Sequence, residues 1–198
     1  AINGIGLVKL MGRDSGYIAA FAGLASNQAN FVLVPEVKFD LHGQQGFLNA
    51  VKERLIRKKH ALIVVAEGAG QELMTDTGQT DASGNRKYGD IGLFLKKEIE
   101  THLRNESIPF TLKYIDPSYS IRSIPASADD AVSCMMLAQN AVHGAMAGKT
   151  GFMIGKVNSY FVNVPLELAT SSRKQIDPQG YLWSIVKEAT GQPDFRSV

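Results

Sequence analysis

An α/β fold built on a parallel sheet is predicted for this chain, on three grounds. Short apolar runs suited to strands alternate with longer runs at helical spacing. Polar and glycine-containing loops punctuate the exits of those strands, where ligands of such sheets gather. At 198 residues and 44% apolar content, the chain is long enough for one compact core with a second element hung on it.

Taken in order, Gly6–Leu10 reads as a first strand and Tyr17 to about Ser26 as the helix after it. Phe31–Val34 reads as a strand, Gly43–Lys58 as a helix, and Ala61–Ala66 as a strand running into a loop. The stretch from Gln71 to Asp90 is polar and turn-rich, and reads as a surface excursion or mobile loop. Ile91–Arg104 returns to helical spacing through Ile91, Phe94, Leu95 and Ile99, and a further apolar run leads into Lys113. A longer helix is predicted over Ala128–Ala147, stopped by Gly148, with a strand over Gly151–Ile154. The tail after Asp177 is broken by Pro and Gly and holds the only tryptophan, Trp183, which reads as a packing residue.

Composition excludes several classes of function. A net charge of +2 does not make the basic face that nucleic-acid binders concentrate, so no nucleic-acid partner is expected. No apolar run approaches the length that spans a bilayer, and no membrane partner is expected. The single Cys134 has no intramolecular partner and reads as a small packed core residue, which suits a reducing, cytoplasmic setting. His42, His60, His102 and His143 lack metal-ligand spacing. Gly144–Thr150 imitates a phosphate-binding loop, but its first glycine is one residue too close, since His143 holds the required position. The segment also closes a helix before a strand, whereas such a loop opens a helix after one.

Three segments carry the chemistry. Met11-Gly12-Arg13-Asp14-Ser15-Gly16 lies between the first strand and its helix, where unpaired first-turn N–H groups and an arginine make an anion site near Arg13. The same hexapeptide fits an ordinary β-to-α loop, with Gly12 as turn residue and Asp14 or Ser15 as N-cap. Glu67 follows the buried run Ile63–Ala66, and Lys113-Tyr114-Ile115-Asp116-Pro117-Ser118-Tyr119-Ser120-Ile121-Arg122 leaves another apolar run. Tyr114 reads as a packed strand aromatic, and Glu36 as structural.

These segments, with Ala66-Glu67-Gly68-Ala69-Gly70 between them, resemble the sugar-phosphate half of the 6-phosphofructokinase family. The likeness is strongest to the branch with plant and trypanosomatid enzymes, through YIDPSYSIR and AVHGAMAGKTGF, and runs from about Gly4 to about Pro165. The resemblance implies a parallel three-layer sandwich, a C-terminal fragment of a longer protein, and transfer of a phosphoryl group to the 1-hydroxyl of fructose 6-phosphate. ATP or pyrophosphate is the donor, with a lean to ATP, and Mg²⁺ is held mainly by an N-terminal half whose donor loops and catalytic Asp are not in this sequence. It implies a catalytic Arg13, with Met11, Gly12, Glu67, Lys113, Tyr119 and Arg122 on the sugar phosphate, residues 1–125 as the sugar-phosphate domain, and 126–198 returning toward the donor domain. It also implies a homo-oligomer, a dimer or tetramer. The spacing Lys113–Tyr119–Arg122 matches the family's Arg-x5-His-x2-Arg, with two of the three types changed. Gly4 and Asn30 stand where short bacterial members carry an Arg and a Glu, which removes the basis for their cross-subunit contact and effector site. The rival from another class is a non-catalytic sugar-phosphate-binding or scaffolding domain.

Overall fold

A computed structural model describes residues 3–74 and 88–196. In chain order the elements begin β1 (Gly4–Leu10), α1 (Tyr17–Ser26), β2 (Phe31–Leu33), α2 (Phe47–Lys58), β3 (His60–Ala66), α3 (Ile91–Asn105), β4 (Thr111–Ile115) and α4 (Ser118–Ser123). They continue α5 (Ala128–Met146), β5 (Phe152–Val157), β6 (Tyr160–Pro165), α6 (Leu166–Thr170) and α7 (Tyr181–Thr190). The chain divides into two compact units, residues 1–119 with 175–198, and residues 120–174.

In the first unit four strands form an all-parallel sheet in the order β2-β3-β1-β4. Alternation along β3 explains the layers. Ala61, Ile63 and Val65 join one core cluster, while Val64 and Ala66 join another, so the strand is buried on both faces and reads as an unbroken apolar run. On one face α2 and α3 bury Phe47, Leu48, Val51, Leu55, Ile91, Leu95, Ile99 and Leu103. On the other, α1 and α7 bury Ala19, Ala20, Trp183 and Val186 against Leu10, Val32, Val34 and Ala66. The predicted three-layer α/β sandwich is therefore present.

Two features of this unit differ from the sequence reading. Helix α2 starts at Phe47, because Gly43 has a φ of 96° and Gly46, extended at φ −73° and ψ 164°, takes the N-cap. The tail forms a full helix, α7, whose Leu182, Trp183 and Val186 lie at helical spacing and whose Gly191 closes it at φ 66°. Trp183 packs as expected, 3% exposed. Beyond α7, Gln192 finishes the open edge of β2: the Val32 N–H donates to Gln192 Oε1 (2.6 Å), and Gln192 Nε2 donates to the Val32 carbonyl (3.1 Å). A side-chain amide thus satisfies the β2 edge in place of a further strand.

The second unit holds α5, the antiparallel pair β5–β6 and α6. Ser127 caps α5 by accepting the Asp130 N–H (3.2 Å), with Asp129 and Asp130 placed for the helix dipole. The single strand expected over Gly151–Ile154 is a hairpin, turned at Asn158 and Ser159 with φ values of 48° and 73°. Both turn residues are left-handed, the geometry that matches strand twist in a two-residue loop. Cys134 is exposed on α5, not packed in a core as its apolar neighbours implied. Gly144–Thr150 runs from the end of α5 toward β5, so its N–H groups do not open a helix. Among the described residues no helix is long and apolar enough to cross a membrane.

Candidate functional site at the carboxyl ends of β1 and β3

Strands β1 and β3 pair in parallel from Gly4↔His60 to Leu10↔Ala66, so the segments leaving them emerge side by side. Their following helices then part: α1 packs on one face of the sheet and α3 on the other. Where neighbouring connections diverge in this way, a crevice opens outside the carboxyl ends. Met11, Gly12, Arg13 and Glu67 stand at that point.

The two segments are bonded to each other. The Glu67 N–H donates to the Leu10 carbonyl (2.9 Å), and the Gly68 N–H donates to the Gly12 carbonyl (3.0 Å). Gly12 has a φ of 139°, open to glycine alone. A Cβ on Gly68 would run into the Arg13 carbonyl, so the second glycine is required by this close approach.

Residues 88–90 cover the same loops. The Arg13 guanidinium lies over the Tyr88 ring, 5.0 Å from its centroid, and the Tyr88 hydroxyl donates to Asp14 Oδ1 (3.3 Å). Gln71 clasps Gly89: its Nε2 donates to the Gly89 carbonyl (3.1 Å) and to the Glu67 carbonyl (2.7 Å), while the Gly89 N–H donates to Oε1 (3.1 Å). Residues 75–87, the middle of the predicted surface excursion, lie outside the described residues.

The mouth of α1 is built differently from the sequence expectation. Gly16 is the N-cap, with no side-chain cap from Asp14 or Ser15. Glu36 takes the position instead: the Gly16 N–H donates to both of its oxygens (2.9 and 3.1 Å), and the Ile176 N–H donates to Oε1 (2.9 Å). The anion that this helix start attracts is the protein's own carboxylate, and the structural reading of Glu36 holds.

Lys113 sits apart from Arg13 and Glu67. It pairs with Gly6, four positions before the end of β1, or about 13 Å of strand. It is exposed on the edge strand β4, on the face opposite Leu112 and Tyr114. Tyr119, on the first turn of α4, is 88% exposed. Arg122 lies on the same short helix but belongs to the second unit. Tyr114 packs as expected and also donates its hydroxyl to Asp90 Oδ1 (3.2 Å).

Sequence reasoning missed Lys9. Its Nζ lies 2.9 Å from Asp90 Oδ2 and 3.0 Å from Asp116 Oδ2, and its side chain is 14% exposed. Burial pulls the Lys9 pKa down, but the hydrogen bonds to Asp90, Asp116 and Tyr114 outweigh it and hold the ammonium above the ordinary lysine range. Burial likewise pushes Asp90 up, and Lys9 with the Leu93 N–H overrides it to a net lowering. Asp116 is lowered first by its bonds from Ser118, then by Lys9. Burial dominates a raised Tyr114. The available signal was a lysine inside the apolar strand GIGLVKL, which demands partners.

No group of three or more His, Cys, Asp or Glu side chains that would hold a metal ion occurs among the described residues. Of the carboxylates beside the crevice, Asp90 and Asp116 are engaged by Lys9 and Glu36 by backbone N–H groups.

The family profile described as phosphofructokinase matches residues 1–145. An ATP-dependent 6-phosphofructokinase of Borreliella burgdorferi is 49% identical over 98% of this chain and 45% of its own length. A chloroplastic ATP-dependent 6-phosphofructokinase of Arabidopsis thaliana is 45% identical over 98% of this chain and 36% of its own. The chain thus spans less than half the length of these relatives. The crystal structure of a pyrophosphate-dependent phosphofructokinase from Marinobacter aquaeolei superposes with a TM-score of 0.68 at 19% identity, over 94% of this chain and 47% of that one, a likeness of fold. With strand-end glycines, arginine and glutamate in place and this match over most of its length, the chain belongs to the phosphofructokinase family.

Proposed function

We propose that this chain is the fructose 6-phosphate half of a 6-phosphofructokinase, which transfers a phosphoryl group to the sugar 1-hydroxyl and yields fructose 1,6-bisphosphate. The observation that carries the reading is the pairing of the Met11–Arg13 and Glu67 segments at the divergence of α1 and α3. Phosphoryl transfer asks for in-line positioning and cations over the equatorial oxygens more than for covalent help from the protein. Arg13 supplies a planar five-donor fork for those oxygens, with the Tyr88 ring against its guanidinium. Glu67 accepts hydrogen bonds from sugar hydroxyls, and the Met11–Gly12 backbone holds the ring. Tyr119 and Arg122 contact the sugar and its phosphate. The spacing Lys113–Tyr119–Arg122, which matches the family's pattern, supports adding Lys113 to these contacts.

The donor is ATP in this reading, with pyrophosphate as the alternative; relatives named for ATP support it. Donor cradle and base come from sequence outside this chain, so the 198-residue chain by itself is inactive. Mg²⁺ accompanies the donor, and no step here runs through it. Residues 1–125 carry the sugar-phosphate role, and the following helix and strands the return toward a donor half. We place the enzyme in the cytoplasm as a homo-oligomer, a dimer or tetramer.

The test is formation of fructose 1,6-bisphosphate by the intact enzyme with each donor, alongside calorimetric binding of fructose 6-phosphate. Turnover of fructose 6-phosphate that is lowered in Arg13→Ala and Glu67→Gln is the expected result. Binding without turnover under both donors would instead support the non-catalytic sugar-phosphate module.

A further inference from the structure

Lys9 is where three elements of the first unit are tied together. Its backbone belongs to β1, four residues ahead of Arg13. One of its carboxylate partners, Asp90, is the N-cap of α3 and accepts the Leu93 N–H (3.1 Å). The other, Asp116, accepts the Ser118 N–H (3.2 Å) and the Ser118 hydroxyl, and so forms the turn that launches α4 from β4. Tyr114, one register position from that turn, bonds to the same Asp90. A mostly buried ammonium between two half-exposed carboxylates is costly to strip of partners, and each carboxylate has its remaining oxygen committed to a helix start. Ile115 and Tyr119, on either side of the β4–α4 turn, are exposed.

We propose that Lys9 is a positioning residue for fructose 6-phosphate, fixing the Asp116–Ser118 turn so that Tyr119 at the start of α4 is held in place relative to the Arg13 loop on the same strand. The proposal rests on Tyr119 contacting the sugar, as set out above. Lys9 itself touches no substrate. Its effect therefore falls on KM for the sugar phosphate and passes through Tyr119.

A double-mutant cycle in the intact enzyme tests it. Lys9→Met keeps the aliphatic stem and removes the charge. It is expected to raise the fructose 6-phosphate KM about tenfold with kcat within about twofold of wild type, a coupling in the range of residues that share one network. In a Tyr119→Phe background the same substitution is expected to add less than about twofold. Hydrogen exchange, which needs no substrate, is expected to quicken at residues 116–119 in Lys9→Met. Full multiplication of the two KM effects would overturn the proposal, as would unchanged exchange at the turn. If Tyr119→Phe leaves KM unaltered while exchange quickens, the sugar contact of Tyr119 falls and the structural tie from Lys9 stands. Should Lys9→Met not fold, Asp116→Asn keeps the Ser118 acceptor while weakening the link to Lys9, and a KM raised about threefold is the expected reading. An unchanged KM in that variant overturns the proposal.

Discussion

Substitution of Glu36 isolates how the mouth of α1 is held. Its carboxylate receives the N–H groups of Gly16 and Ile176, both buried, at 2.9 Å on Oε1, with a second contact from Gly16 to Oε2 at 3.1 Å. Glu36→Ala strands both donors away from water. A buried donor left without a partner costs about 1–3 kcal/mol, so the pair amounts to roughly 2–6 kcal/mol. Glu36→Gln behaves differently, because a single amide oxygen at the Oε1 position still accepts from both N–H groups. Only the charge at the helix start is lost, worth about 0.3–1 kcal/mol. Trp183 is the sole tryptophan, and it shares a core cluster with Ile176, so its fluorescence during urea unfolding reports on this region directly. The expected order of midpoints is wild type, then Glu36→Gln slightly lower, then Glu36→Ala about 1–2 M lower, given slopes of about 1–3 kcal/mol/M. If the glutamine and alanine variants lose stability equally, the carboxylate is not acting through Oε1 and the account of the α1 mouth is wrong.

Gly68→Ala forces a Cβ against the Arg13 carbonyl, so it is expected to displace the Arg13 loop and cut kcat in the intact enzyme at least as strongly as it lowers the thermal midpoint. Stability near wild type with kcat untouched would show that the loop adapts freely. Arg13→Ala is expected to lower kcat by about 10² to 10³ with a much smaller change in sugar-phosphate affinity, as for loss of one preorganised transition-state donor. A raised KM at wild-type kcat would move Arg13 to ground-state binding. Asp90 and Asp116 have lowered pKa values, so their stabilising share is present above the ordinary carboxylate range and fades as pH falls through their folded values, below about pH 4. Lys9, with a raised pKa, keeps its share below about pH 10 and loses it only in stronger base. The stability gap between wild type and Lys9→Met, read from urea midpoints, is therefore expected to be widest from about pH 5 to 10 and to shrink below pH 4.

Much of the fold is legible in the sequence because its sheet is parallel. Strands buried on both faces, such as β3 from Ala61 to Ala66, show as continuous apolar runs with polar residues following at the carboxyl end. The hairpin β5–β6 was hidden for the opposite reason: its strands are exposed or half-buried, so Phe152–Val157 and Tyr160–Pro165 carry little apolar contrast. The two-residue turn at Asn158-Ser159 was the signal available. Helix α7 was masked by the prolines and glycines around it, although Trp183 and Val186 already had helical spacing. Cys134 misled because α5 carries apolar side chains that its own unit leaves exposed, among them Val132, Met135 and Met136. An apolar neighbourhood in sequence is evidence of burial only where something packs over it.

The candidate site divides along the same line. Arg13 and Glu67 were readable because each directly follows a strand, and register alone then makes them neighbours once β1 pairs with β3. Gln71, Tyr88 and Lys9 were not, and the structural role read for Glu36 came without its partners, since each acts through a bond that only the packed chain creates: Tyr88 to Asp14 across 74 positions, Glu36 to Ile176 across 140. Those bonds hold the two strand-end loops and the elements beside them. Glu36 fixes the start of α1, Gln71 and Tyr88 cover Arg13, and Lys9 ties β1 to the starts of α3 and α4. Under the function proposed above, the Arg13 loop gains from being held at these points, because a donor already in place needs no reorganisation when charge develops. The residues with the most recognisable motif are thus held by polar side chains whose partners only the packed chain brings near.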